Sequence, residues 1–204
     1  MTDRYVALGD SYTIGTSVAR SEAWPSRLVA TLGHGPDGRP RLELVANLAS
    51  NGRTSHDVLD DQLPRIARLR PDFVTLLIGV NDVVQGVAFE TYRANVTGIL
   101  DHLVSRLATG RLLVVTTPDY TVTPAGAEYG DPDRQRARIV ELNAIISELA
   151  TTRGIAVVDI FAISSGAGSD RSLVARDGLH PSARQYDLWV ERIRPVVSRL
   201  LERG

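Results

Sequence analysis

The sequence predicts a doubly wound α/β sandwich built around a parallel sheet. Two observations carry this. Five short apolar runs, rich in β-branched residues, recur along the whole chain: residues 5–8, 42–48, 73–78, 112–117 and 155–160. Stretches with helical spacing separate them. Strands that alternate with helices must cross over between parallel neighbours, which puts helices on both faces of the sheet. RYVAL, LELVANL, DFVTLLIG, RLLVVTT and GIAVVDI are too continuously apolar for a half-exposed sheet, as strands covered on both faces should be.

The helical stretches follow in order. Residues 22–32 and 55–69 supply the first two, and Pro64 is expected to kink or divide the second. Tyr92, Val96, Ile99, Leu103 and Leu107 return to one face of a third. Ile139, Leu142, Ile146 and Leu149 do the same in a fourth, which Gly154 is placed to end. Leu188, Val190, Ile193, Val197 and Leu200 mark a last helix, with Pro195 expected to bend it. No repeat or linker interrupts the pattern, so one domain over 1–204 is expected. The loosest segments are residues 34–41 and 118–133, rich in Gly, Pro and Asp. The second follows the fourth strand, at the sheet edge where open α/β sheets bind ligands, and a mobile pocket border is expected there.

Composition narrows the classes of function. Lys and Arg total 23 against 24 Asp and Glu, a net charge of −1, which gives no electrostatic footprint for nucleic acid or an anionic membrane. The chain has no cysteine, excluding disulfides, a thiolate nucleophile and a Cys-bound zinc. Strand-like sequence begins by Arg4 or Tyr5, leaving no space for a leader, and no apolar run reaches transmembrane length. A cytoplasmic protein without stable membrane insertion is the expectation.

Chemistry-bearing residues collect at the predicted strand ends. The first strand runs into Gly9-Asp10-Ser11, the second into Asn51-Gly52-Arg53 and the third into Gly79-Val80-Asn81-Asp82. Just ahead of the last helix comes Asp177-Gly178-Leu179-His180-Pro181. A hydroxyl, a turn amide and a carboxamide donor are thereby brought to one edge, and acyl transfer needs those groups plus a base. Of the four histidines only His180 has an acid three positions before it, so one carboxylate can hold its Nδ1 and leave Nε2 for a serine. His34 lies in a Gly-Pro loop and His102 within a helix; His56, close to Gly52, is less easily set aside. Taken alone, Ser11 is equally a turn or cap serine, Gly52 a plain turn glycine and Asn81 an Asx-turn residue. Asp10 reads as a brace for the Ser11 turn, and Asp82 as a helix cap or a hydrogen-bond anchor.

Together the four blocks resemble those of the SGNH hydrolases, or GDSL esterases and lipases, in that family's order from residue 9 to residue 181. The resemblance implies a flavodoxin-like three-layer α/β/α sandwich with a central five-stranded parallel sheet. It implies Ser11 as nucleophile, His180 as general base and Asp177 as the acid that orients it. It also implies an oxyanion hole from the Ser11 and Gly52 amides and the Asn81 side chain, with no cofactor and no metal. Tyr12 departs from the family's name-giving motif, where Leu stands, and is read as a difference in pocket shape.

The expected activity is hydrolysis of a small-molecule carboxylic ester with a short to medium acyl chain, through a Ser-His-Asp triad and an acyl-enzyme. Sugar O-deacetylation, thioester hydrolysis and lysophospholipid hydrolysis fit the same residues. A phosphate or nucleotide binder would need glycine spacing and a lysine that GDSYTIG lacks. A catalytically silent binding module of the same fold is the non-enzyme alternative.

Overall fold

The computed structural model describes residues 2–203. Its five strands are β1 (Asp3–Gly9), β2 (Leu42–Asn47), β3 (Phe73–Leu77), β4 (Leu112–Val115) and β5 (Ala156–Val158). All pair in parallel, in the order β2-β1-β3-β4-β5. This is the expected five-stranded α/β/α arrangement. Each strand falls within or beside an apolar run read from the sequence. β1 and β3 are almost wholly enclosed, Tyr5 to Gly9 and Phe73 to Leu77 being buried. Continuous apolarity was the right signal for strands covered on both faces.

The helices are α1 (Ser11–Ile14), α2 (Trp24–Leu32), α3 (Ser55–Asp57), α4 (Leu63–Leu69), α5 (Val80–Val84), α6 (Phe89–Val104), α7 (Pro132–Thr151), α8 (Phe161–Ser165) and α9 (Ala183–Arg203). α3 and α4 are joined by a π-helical turn, Val58–Gln62, so the segment expected to kink at Pro64 is divided just before it. Pro64 sits in the first turn of α4, directly after the π-helical turn. α9 runs on through Pro195. α7 begins at Pro132, a turn and more ahead of its first periodic apolar residue, because Asp131 caps it by accepting from the Arg134 amide. One apolar cluster joins strands and helices, with Trp24, Tyr92, Ile139, Tyr186 and Trp189 all buried within it.

The chain steps from β1 outward to β2, then back across β1 to β3. The direction of winding reverses between β1 and β3, so their carboxyl ends splay the following loops apart and open a crevice. Gly9 and Leu77 are in register at that edge. The polar strand-end blocks leave the sheet on either side of this point.

Candidate functional site

Ser11 is presented by a turn with little freedom. Asp10 caps α1, its Oδ1 accepting from the Tyr12 amide at 3.0 Å. Gly9 has φ +150°, and a Cβ there would lie 2.3 Å from the Leu77 carbonyl oxygen and 2.6 Å from Thr13 Oγ1. Only glycine fits between β3 and α1 at that point. Both polar backbone groups of Gly9 are taken by one side chain: its N–H donates to Gln62 Oε1 at 3.0 Å and its carbonyl accepts from Gln62 Nε2 at 2.7 Å. Gln62, the last residue of the π-helical turn, thus pairs with the last residue of β1 as a neighbouring strand would.

Asp10 is fully buried and its Oδ2 has no partner. Burial pushes its carboxyl up to about 7; the Tyr12 amide opposes the shift and Asp82 adds to it. Asp82 is buried too, and burial raises its carboxyl despite bonds from Ser55. It accepts from the Ser55 amide at 2.9 Å and the Ser55 hydroxyl at 2.5 Å, tying α5 to α3. Of its two sequence readings, the hydrogen-bond anchor is the one observed.

Asn81 lies in the first turn of α5, where its Nδ2 donates to the Arg53 carbonyl at 3.0 Å. One amide hydrogen is used to fix the carboxamide, and the second remains available to the crevice. Gly52, adjacent to Arg53, is exposed with φ +76°. A Cβ on Gly52 would meet nothing within 4 Å, so backbone conformation and not crowding favours glycine there. Neither the Ser11 nor the Gly52 amide has a protein acceptor among the described residues.

His180 stands in a loop closed by a bridge between Val174 and Pro181 and by the Ala175 amide donating to the His180 carbonyl at 2.7 Å. Its Nδ1 is 2.6 Å from Asp177 Oδ2. Asp177 Oδ1 accepts from the Leu179 and His180 amides at 2.9 and 3.0 Å, and Oδ2 also accepts from the Ser17 hydroxyl at 2.6 Å. Partial burial pushes the Asp177 carboxyl up, but the Ser17 hydroxyl, the Leu179 amide and His180 outweigh it and hold it well below the usual range.

Ser11, Gly52, Asn81 and His180 line one cavity of about 220 Å³, with Tyr12, Asn51, Val80, Val84, Tyr120, Tyr129 and Leu179. Asp177 stands behind His180. The structure therefore brings together Ser11, Gly52, Asn81, Asp177 and His180. Tyr12 is buried, its ring 5.0 Å from that of His180, so it does shape the pocket wall. His56 is left out: it is exposed on α3 and pairs with Asp60 at 3.2 Å. The 118–133 loop contributes Tyr120 and Tyr129, which meet edge to face at 6.2 Å. Its first half is pinned, because buried Asp119 pairs with Arg136, accepts from Ser165 at 2.8 Å and accepts from Thr121 at 2.6 Å. Among the described residues no cluster of His, Cys, Asp or Glu is arranged to hold a metal, and no helix is long and apolar enough to cross a membrane.

The model of the GDSL-like lipase/acylhydrolase family matches residues 7–188. The chain belongs to that family. No curated protein matches the sequence significantly. Solved structures match across nearly the whole length. The lipase/acylhydrolase from Enterococcus faecalis is 23% identical over 97% of this chain and 96% of that one, with a TM-score of 0.76. LAE5, an α/β hydrolase enzyme from the metagenome of Lake Arreo, is 20% identical over 97% and 96%, also at 0.76. Axe2, an acetylxylan esterase from Geobacillus stearothermophilus, is 17% identical over 96% and 94%, at 0.74. At these identities the likeness is one of fold, and it agrees with the GDSL-family sandwich described above.

Sequence reasoning missed Gln62 and Ser17, and placed Asn51 at a strand end without a role. Gln62 and Ser17 act on partners 53 and 160 positions away, so no local pattern announces them.

Proposed function

We propose that the protein is a serine esterase in which Ser11 attacks a carboxylic ester, His180 is the general base and Asp177 orients and stabilises the imidazolium. The observation that carries the reading is the 2.6 Å contact between Asp177 and His180 Nδ1, made at the wall of the cavity that Ser11 also lines. That contact fixes the tautomer with Nε2 unprotonated and turned to other partners. The carboxylate accepts only, so its partner Nδ1 must carry the proton.

As Ser11 Oγ bonds to the ester carbon, its proton passes to His180 Nε2, and the carbonyl oxygen becomes an oxyanion. The unpaired Ser11 and Gly52 amides and the second Asn81 hydrogen are the donors suited to receive it. The His180 proton then leaves with the alcohol, and water repeats the sequence on the acyl-enzyme. No step draws on a metal or organic cofactor. A cavity of about 220 Å³ walled by Val80, Val84, Leu179 and three tyrosines suits a short to medium acyl chain on a small-molecule substrate.

A fluorophosphonate probe tests the reading directly. It should label the parent protein and fail to label Ser11→Ala; equal labelling of both would end the proposal, as would no labelling of either. A panel of p-nitrophenyl esters should then favour acetate to hexanoate over decanoate. Acetylated xylose, an acyl thioester and a lysophospholipid in the same panel separate the related activities open to this site.

A further inference from the structure

Residues 15–17, between α1 and α2, touch three separate parts of the site. The Thr16 amide donates to the Ser11 carbonyl at 3.1 Å. The Thr16 hydroxyl donates to Asn51 Oδ1 at 2.6 Å, beside Gly52. The Ser17 hydroxyl donates to Asp177 Oδ2 at 2.6 Å. Ser17 does this with φ +68°, in the left-handed region that serine adopts under strain. The other described non-glycine residue there is Arg70, which ends α4 and bonds its amide to the Ile66 carbonyl, the ordinary use of that conformation. Glycine would take the turn at Ser17 without strain. The turn itself gives no reason for a serine; the hydroxyl and its acceptor do.

We propose that Ser17 is a positioning residue for the esterase reaction, holding the Asp177 carboxylate against His180 and drawing off part of its charge. The inference rests on the Ser11–His180–Asp177 reading above. With Ser17 in place, Oδ1 holds two amides and Oδ2 holds Ser17 and the imidazole, so the carboxylate cannot turn without breaking bonds. Without the hydroxyl, Oδ2 concentrates its charge on the imidazole and favours the protonated base. The base is then withdrawn from its neutral form at a pH where the parent is active.

Other groups near the pair do not mimic this effect. Tyr12 from α1 and Tyr186 from α9 have phenols raised far out of range by burial. Arg176 precedes Asp177 in the loop and is the same in the parent and in every Ser17 variant. Asp10, under the Ser11 turn, titrates near neutrality but is the same in the parent and in every Ser17 variant.

The test compares Ser17→Ala and Ser17→Gly with the parent, following kcat/KM for p-nitrophenyl butanoate against pH. Both variants should move the acid limb to higher pH by about half a unit and lower kcat several-fold with little change in KM. Ser17→Gly should also melt at a higher temperature than Ser17→Ala, because it alone relieves the strain. Lower activity with an unmoved limb would assign Ser17 a purely structural role and overturn the proposal, as would unchanged activity. A parent that fails to label at Ser11 with fluorophosphonate overturns both readings, whereas a labelled parent with an unmoved limb overturns this one alone.

Discussion

Two carboxylates serve the same site from opposite environments. Asp10, under the Ser11 turn, is wholly enclosed, has one oxygen without a partner and is pushed up to about 7. Asp177, in the loop before α9, has a side chain 31% exposed and four hydrogen bonds, and is held well below the usual carboxylate range. The difference reflects how each half of the site is built. The Ser11 half is fixed by burial, close packing and backbone contacts inside the sheet edge. The His180 half is fixed by a surface loop and charge-assisted hydrogen bonds. Damage to the first half should appear as lost stability, and damage to the second as a changed response to pH.

The largest effect is expected at Gly9. In Gly9→Ala the new Cβ meets the Leu77 carbonyl at 2.3 Å in a backbone conformation glycine alone tolerates, and β3 cannot yield without breaking the sheet. A loss of about 4 kcal/mol is expected in urea unfolding. Gln62→Ala comes next, at about 3 kcal/mol, because it strands both the N–H and the carbonyl of Gly9 in a buried position. A cost below about 1 kcal/mol for either would show that the Ser11 half is looser than its packing implies.

These two positions also mark what was legible in the sequence. The strands were, because burial on both faces writes itself into a continuous apolar run. The Asp177–His180 pair was, because a three-residue turn places both partners within one motif. Gly9 was visible only as a turn residue, since the crowding around it comes from Leu77 and Thr13. Gln62 and Ser17 were not visible at all, because their roles exist only once distant segments meet. The 118–133 loop read as loose from its Gly, Pro and Asp content. The Asp119–Arg136 pair that pins its first half links it to α7, which composition does not reveal.

Asp10→Asn sharpens the comparison from the buried side. A carboxyl raised in the folded state holds its proton longer there than in the unfolded chain, so the parent loses stability as pH rises from about 4 to 7. Asparagine keeps an acceptor for the Tyr12 amide and carries no charge. Its stability relative to the parent should therefore rise between pH 5 and pH 8, by about 2 kcal/mol. Parallel stability curves for the two proteins would mean that Asp10 is ionised at little cost.

Asp177→Asn should show the opposite sign and the smallest effect. A carboxyl lowered in the folded state contributes stability that is fully present above the unfolded value of 3.8 and is lost as pH falls through the folded one. The parent should thus lead the variant at pH 7, and the two should converge as the medium is taken to about pH 2. Exposure and solvent screening hold the difference at pH 7 to about 1 kcal/mol or less, below that expected at Asp10. Chemical unfolding of both variants at matched pH checks the pair together. If the Asp177 difference widened with acid, or the Asp10 difference narrowed with base, the opposed environments would not control these carboxylates.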